Sequence, residues 1–130
     1  MASRRGNSSL WTSASSESAL GASAAAGVPG PYVAVFIQNI GGGAKTFRVQ
    51  AAQKVGRSAG VNELGDSEGT NLAWHDVQKR DGSGDLVITT GSGDNSCVDL
   101  SPFAPELIRL VSVEGFTAGQ IIANVASSTG

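Results

Sequence analysis

Apolar and polar residues alternate in short runs from Tyr32 onward, and the runs are too brief for helices. Tyr32-Val33-Ala34-Val35-Phe36-Ile37-Gln38 is β-branched and aromatic, with apolar side chains on both faces, which suits a central strand. After Gly41-Gly42-Gly43, the run Thr46-Phe47-Arg48-Val49-Gln50-Ala51 alternates cleanly. Phe47, Val49 and Ala51 share one face, and the two runs together predict a hairpin. Residues 54–70 read as a polar loop. Leu72–Val77 and Leu86–Thr90 follow as strands around a turn at Lys79–Gly84. Cys97–Leu100 is a short strand that runs into a corner, Ser101-Pro102-Phe103-Ala104-Pro105. Leu107–Val113 and Gln120–Val125 predict a last hairpin around Gly115 and Gly119.

About seven short strands separated by Gly, Asp, Asn and Pro turns predict an all-β domain. The expected form is a single antiparallel β-sandwich or jelly-roll-like fold over 32–130. Residues 1–31 differ. Eleven of the fifteen residues from Thr12 to Ala26 are Ser or Ala, and Gly27-Val28-Pro29-Gly30-Pro31 closes the stretch. Serines compete for backbone hydrogen bonds, and the apolar spacing shows no helical stripe. The stretch reads as an extended arm with one or two edge strands at most. Trp11 stands alone in it, as an aromatic anchor for a partner's pocket would. Arg4, Arg5 and Leu20 complete the candidate docking residues of the arm.

Composition sharpens this picture in three places. Only 15% of the residues are charged and 18 are glycine, which fits strands and tight turns better than a bundle of charged helices. The net charge of −2 argues against a broad nucleic-acid surface, and no apolar run is long enough for a membrane-spanning helix. One cysteine, Cys97, precludes an intrachain disulfide, and its strand context predicts a buried structural thiol.

The motifs that could carry chemistry are weak. Gly41–Thr46 resembles the end of a phosphate loop, but Ala44 stands where glycine is required and a strand follows instead of a helix. Asp81-Gly82-Ser83-Gly84-Asp85 spaces its oxygens as a calcium loop does. Leu86 and Ser92, however, occupy the places that need glycine and glutamate. A turn is the plainer account, with a weak ion site at Asp81, Asp85 and Asp94 if the two loops meet. The chain holds one His and one Cys, too few to build a zinc site around His75. The residues predict no cofactor and no catalytic group.

Trp74-His75-Asp76-Val77, then Val98-Asp99-Leu100-Ser101-Pro102-Phe103-Ala104-Pro105, then Leu107-Ile108-Arg109-Leu110-Val111, resemble a recurrent pattern. It is that of small β-sandwich proteins encoded among the structural genes of tailed bacteriophages, and the resemblance spans roughly Tyr32 to Val125. Leu107 stands where an aromatic often precedes the arginine strand. The resemblance implies a virion protein, made in the host cytoplasm, that decorates a capsid or belongs to a head fibre or tail. The implied partner is the major capsid protein or another virion protein. A homo-oligomer is expected, with a trimer among the arrangements open to it. On this reading the arm bridges neighbouring subunits, and deleting residues 2–28 spares the fold and abolishes particle binding. The rival expectation is a carbohydrate-binding or host-recognition module, with an open aromatic platform at Trp74 or in 79–85.

Overall fold

The structure, a computed structural model, describes residues 5–53, 73–103 and 105–130. The loop expected over 54–70, the start of the Leu72 strand, Ala104 in the proline corner, and Arg4 lie outside the described residues. The fold is all-β, as expected: ten antiparallel strands and no helix among the described residues, in sheets that curl into a half-barrel.

The strands are β1 (Arg5–Trp11), β2 (Gly21–Ala22), β3 (Ala26–Gly27), β4 (Tyr32–Asn39), β5 (Lys45–Gln53), β6 (Ala73–Asp76), β7 (Val87–Thr90), β8 (Asn95–Asp99), β9 (Leu107–Ser112) and β10 (Ile121–Ser128). One sheet has the order β1-β10-β4-β8. The other has the order β2-β9-β5-β6, with β3 also on β9 and β7 also on β5. Alternation assigns the inner faces: Val33, Val35 and Ile37 from β4, Ile121, Ala123 and Val125 from β10, Phe47 and Val49 from β5, and Ile108 and Leu110 from β9. All are buried in one cluster shared by the two sheets. Each Val, Leu, Ile or Phe among them contributes about 1.5–3 kcal/mol on burial.

Both expected hairpins are corrected. β4 pairs with β10 and β8, not with β5, so the Gly41–Gly43 turn carries the chain from one sheet to the other. β9 and β10 also lie in different sheets, and the connection through Gly115 and Gly119 crosses between them. Asn39 ties the first crossing to the β7–β8 turn. It is 1% exposed, and its Nδ2 donates to the Gly43 carbonyl at 2.9 Å and to the Thr90 carbonyl at 3.0 Å. Its backbone N–H donates to the Asp94 carbonyl, and its own carbonyl accepts from Gly93. Two connections, β4–β5 and β7–β8, thus meet at one buried residue, whose Oδ1 has no hydrogen-bond partner among the described residues.

The leading segment is the larger correction. Residues 5–27 are not a separate arm; they supply three strands of the same body. β1 pairs with β10 from Arg5↔Ser128 to Trp11↔Ala123, with a register shift between Ser9 and Trp11. An irregularity of this kind breaks strict alternation, and it lets both Leu10 (4% exposed) and Trp11 (2%) enter the core. Trp11 packs edge-on against Phe116, with centroids 5.0 Å apart, and tilted against Phe47 at 5.6 Å. Its Nε1 donates to Glu17 Oε2 at 2.9 Å. Small residues do the rest: Ser23 Oγ accepts from the Leu110 amide at 2.9 Å, and the Ser23 amide donates back to the Leu110 carbonyl at 2.8 Å.

Candidate functional site

A concavity among the described residues lies where the two sheets part, beside β6 of one and β8 of the other. Its volume is about 710 Å³. The floor is apolar because strand alternation there turns side chains toward the common core: Val77, Leu86, Val98 and Phe103 are partly buried against it, and Leu100 is buried. The rim is polar and mixed in charge, with His75, Asp76, Lys79, Arg80 and Asp99.

Two devices shape the groove. β6 and β7 follow one another along β5, and the chain between them loops out as a small ladder. There the Leu86 amide donates to the Val77 carbonyl, the Lys79 amide donates to the Gly84 carbonyl, and Gln78 pairs with Asp85. From this loop Arg80 Nη2 reaches across to the carbonyls of Leu100, at 3.0 Å, and Ser101. That guanidinium closes one end of the groove with charge-assisted hydrogen bonds. On the opposite wall the corner after β8 is held to β4: the Leu100 amide donates to the Val33 carbonyl, and the Val33 amide donates to Ser101 Oγ at 2.8 Å. The Ser101–Pro102 peptide is cis. The Ser101 amide donates to Asp99 Oδ1 at 2.9 Å. That bond, then the Ser101 hydroxyl and more weakly the Arg80 charge, hold the Asp99 carboxyl below the ordinary carboxylate range, against a small opposing effect of burial.

The expected docking residues do not converge on this groove. Trp11 is a core residue and presents no ring to a partner, because its indole fills the space between Phe47 and Phe116. Arg5 is exposed on the outer face of β1. Leu20 is 64% exposed at a left-handed turn position, with φ 63°, on a different part of the leader. Of the candidate docking and chemical residues only His75 reaches the groove, at its rim, while the segments that carry the resemblance reach it through Val77, Val98, Leu100 and Phe103.

The ion site is corrected as well. Among the described residues no group of three or more His, Cys, Asp or Glu is placed to hold a metal. Asp81 Oδ1 accepts the Ser83 amide and Asp85 accepts from Gln78, both within one loop, while Asp94 sits in the separate β7–β8 turn. The Ser83 bonds hold Asp81 below the ordinary carboxylate range.

Cys97 is exposed, contrary to the buried thiol expected. Ser96 and Val98 are the inward residues of β8, and Ser96 Oγ lies 2.7 Å from Thr90 Oγ1, so Cys97 falls on the outer face. Trp74 is half-buried on the outer face of the other sheet. The Arg109 guanidinium stacks over its ring at 4.1 Å, Arg109 Nε donates to Gln50 Oε1 at 2.8 Å, and Gln50 Nε2 donates to Asp76 Oδ1 at 3.1 Å. Burial lowers the pKa of Arg109 from its ordinary value. The groove itself was not visible beforehand, because its floor is made by residues that alternation alone marks as core. Comparison of the chain with known protein families, with characterised proteins and with solved structures finds no match.

Proposed function

We propose that this protein is a structural virion component of the tailed-phage type, a capsid decoration protein that works by docking and carries out no catalysis. The groove between β6 and β8 is the observation that supports this reading. An apolar floor with a mixed-charge polar rim suits an extended segment of another virion protein, the major capsid protein first among them. Docking then uses a preformed wall of the folded body, so the leader need not order on contact. The sequence pattern around Trp74, Asp99–Pro105 and Arg109 supports the virion setting, and two of its three segments line this groove.

The carbohydrate-binding alternative needs an uncovered aromatic platform. Trp74 offers little, since Arg109 already occupies a face of its ring.

The test is co-expression with the capsid genes that neighbour its own, followed by sedimentation of the shells. The wild type is expected to travel with the shells in fixed proportion. Phe103→Ala and His75→Glu are expected to remain in the supernatant while keeping a cooperative melt. A wild type that never sediments with shells overturns the capsid reading, and groove variants that bind normally overturn the groove.

A further inference from the structure

The outer face of the four-stranded sheet is an unusual surface for a protein in water. Register places its outward side chains in rows across β1, β10, β4 and β8. Arg5, Ser128 and Tyr32 form one row. Asn7, Ala126, Ala34 and Asp99 form the next, and Ser9, Asn124, Phe36 and Cys97 the one after. Tyr32 is 53% exposed and Phe36 45%, with Ala34 and Ala126 lying low between them. Among the described outward residues of these strands only Arg5 and Asp99 carry charge. They lie on opposite edge strands, one row apart, around the same shallow depression.

That distribution is complementary to itself. A two-fold axis lying in the plane of the face and parallel to the strands sets β1 of one copy over β8 of the other, without moving the rows. Arg5 then lies one row, about 7 Å along the strands, from Asp99 of the second copy on each flank, an offset its long side chain can span. Ala34 faces Ala126, so the sheets can approach, and each Phe36 ring covers Asn124 and Ala126 of the other copy. An axis perpendicular to the strands brings Asp99 beside Cys97 and leaves Arg5 with no acidic partner, so the charges select the first arrangement. Isologous pairing of this kind is the commonest form of oligomer. We infer that this protein forms a face-to-face dimer through the outer surface of β1-β10-β4-β8, with Phe36 as its central contact and reciprocal Arg5–Asp99 pairs at its margins.

The inference stands apart from the virion reading and uses a different face from the groove, with Asp99 alone at the edge of both. It is tested by sedimentation velocity and by thiol cross-linking. The wild type should be a dimer at micromolar concentration. Phe36→Lys should weaken it by roughly tenfold or more, and Arg5→Glu should weaken it measurably at low salt, both with an unchanged melt. Ser9→Cys adds a second thiol on β1. Within one chain, residues 9 and 97 are three strand spacings apart, about 14 Å. Across the proposed interface they face each other over a gap of about 10 Å between sheets. A bis-maleimide no longer than that gap should link Ser9→Cys chains into covalent dimers and leave the wild type, whose two Cys97 thiols lie on opposite flanks, as monomers on a denaturing gel. A wild type that sediments as a monomer overturns the inference. So does equal cross-linking of wild type and variant, and so does a monomer whose binding to shells is lost in Phe36→Lys, which would give the face to the particle.

Discussion

The Trp11 ring meets Phe116 edge-on at 5.0 Å, with an angle of 82° between the planes, so the first strand of the protein and the last crossing connection share one aromatic contact. The consequence for the leader is direct. Trp11→Ala removes a large ring from the centre of the core and an indole donor from Glu17, and should cost about 3–5 kcal/mol of stability, read by urea denaturation. Removing residues 2–28 also strips β1 from β10 and β2 and β3 from β9. The truncated protein should lose cooperative unfolding, where an independent arm would leave it unchanged.

Asn39 supplies a second test. Asn39→Ala leaves the Gly43 and Thr90 carbonyls without their buried donor, which should cost about 2–4 kcal/mol. Asn39→Asp should be the worse substitution near neutral pH, because it replaces the donor with a buried carboxylate facing two carbonyls. Its deficit should narrow as the pH falls and the acid protonates.

Gly115 and Gly27 separate close approach from open space. Gly115 has φ +86°, and a Cβ there would lie 2.7 Å from the Glu17 carbonyl oxygen and 2.9 Å from the Ala19 nitrogen. Gly115→Ala should therefore destabilise by about 1–3 kcal/mol. Gly27 is in an ordinary strand conformation with nothing within 4 Å of a new Cβ, and Gly27→Ala should leave the melting temperature unchanged or slightly higher.

Acid sensitivity follows from Asp99 and Asp81. Both have folded-state pKa values below the ordinary 3.8, because Ser101 and Ser83 hydrogen-bond to the ionised forms. Their contribution is complete above the ordinary value and disappears as the pH falls through the lowered folded one. Asp99→Asn and Asp81→Asn should flatten the acid limb of the stability curve below about pH 4. They should have little effect on its shape between pH 6 and pH 8, a range far above either group's titration (about 3.9 when unperturbed).

Much of this was legible in the residues. Phe47 and Val49 alternate with Arg48 and Gln50 as the periodicity predicts, and β4 is a central strand. Strand pairing was not legible, because a glycine turn such as Gly41–Gly43 serves a hairpin and a crossing between sheets equally well. The leader reads as an arm, and its place inside the body is hidden for a related reason. Its fixings are backbone bonds and the Ser23 hydroxyl, and neither leaves a hydrophobic period. Leu10 and Trp11 both enter the core, but their adjacency, which depends on a register shift, does not alternate as a strand does. The groove rim, with His75 and Arg80, could be found only once the topology had set β6 beside the corner that follows β8.

The register Arg5↔Ser128 has a bearing on biosynthesis. Residues 5–11 are made well before their partner, and the strand that receives them follows about 110 residues later. Until then the Trp11 indole has no finished cavity to fill. Closure of the body therefore waits until β10 has been made, and any bulk added beside β1 or β10 would strain the same seam.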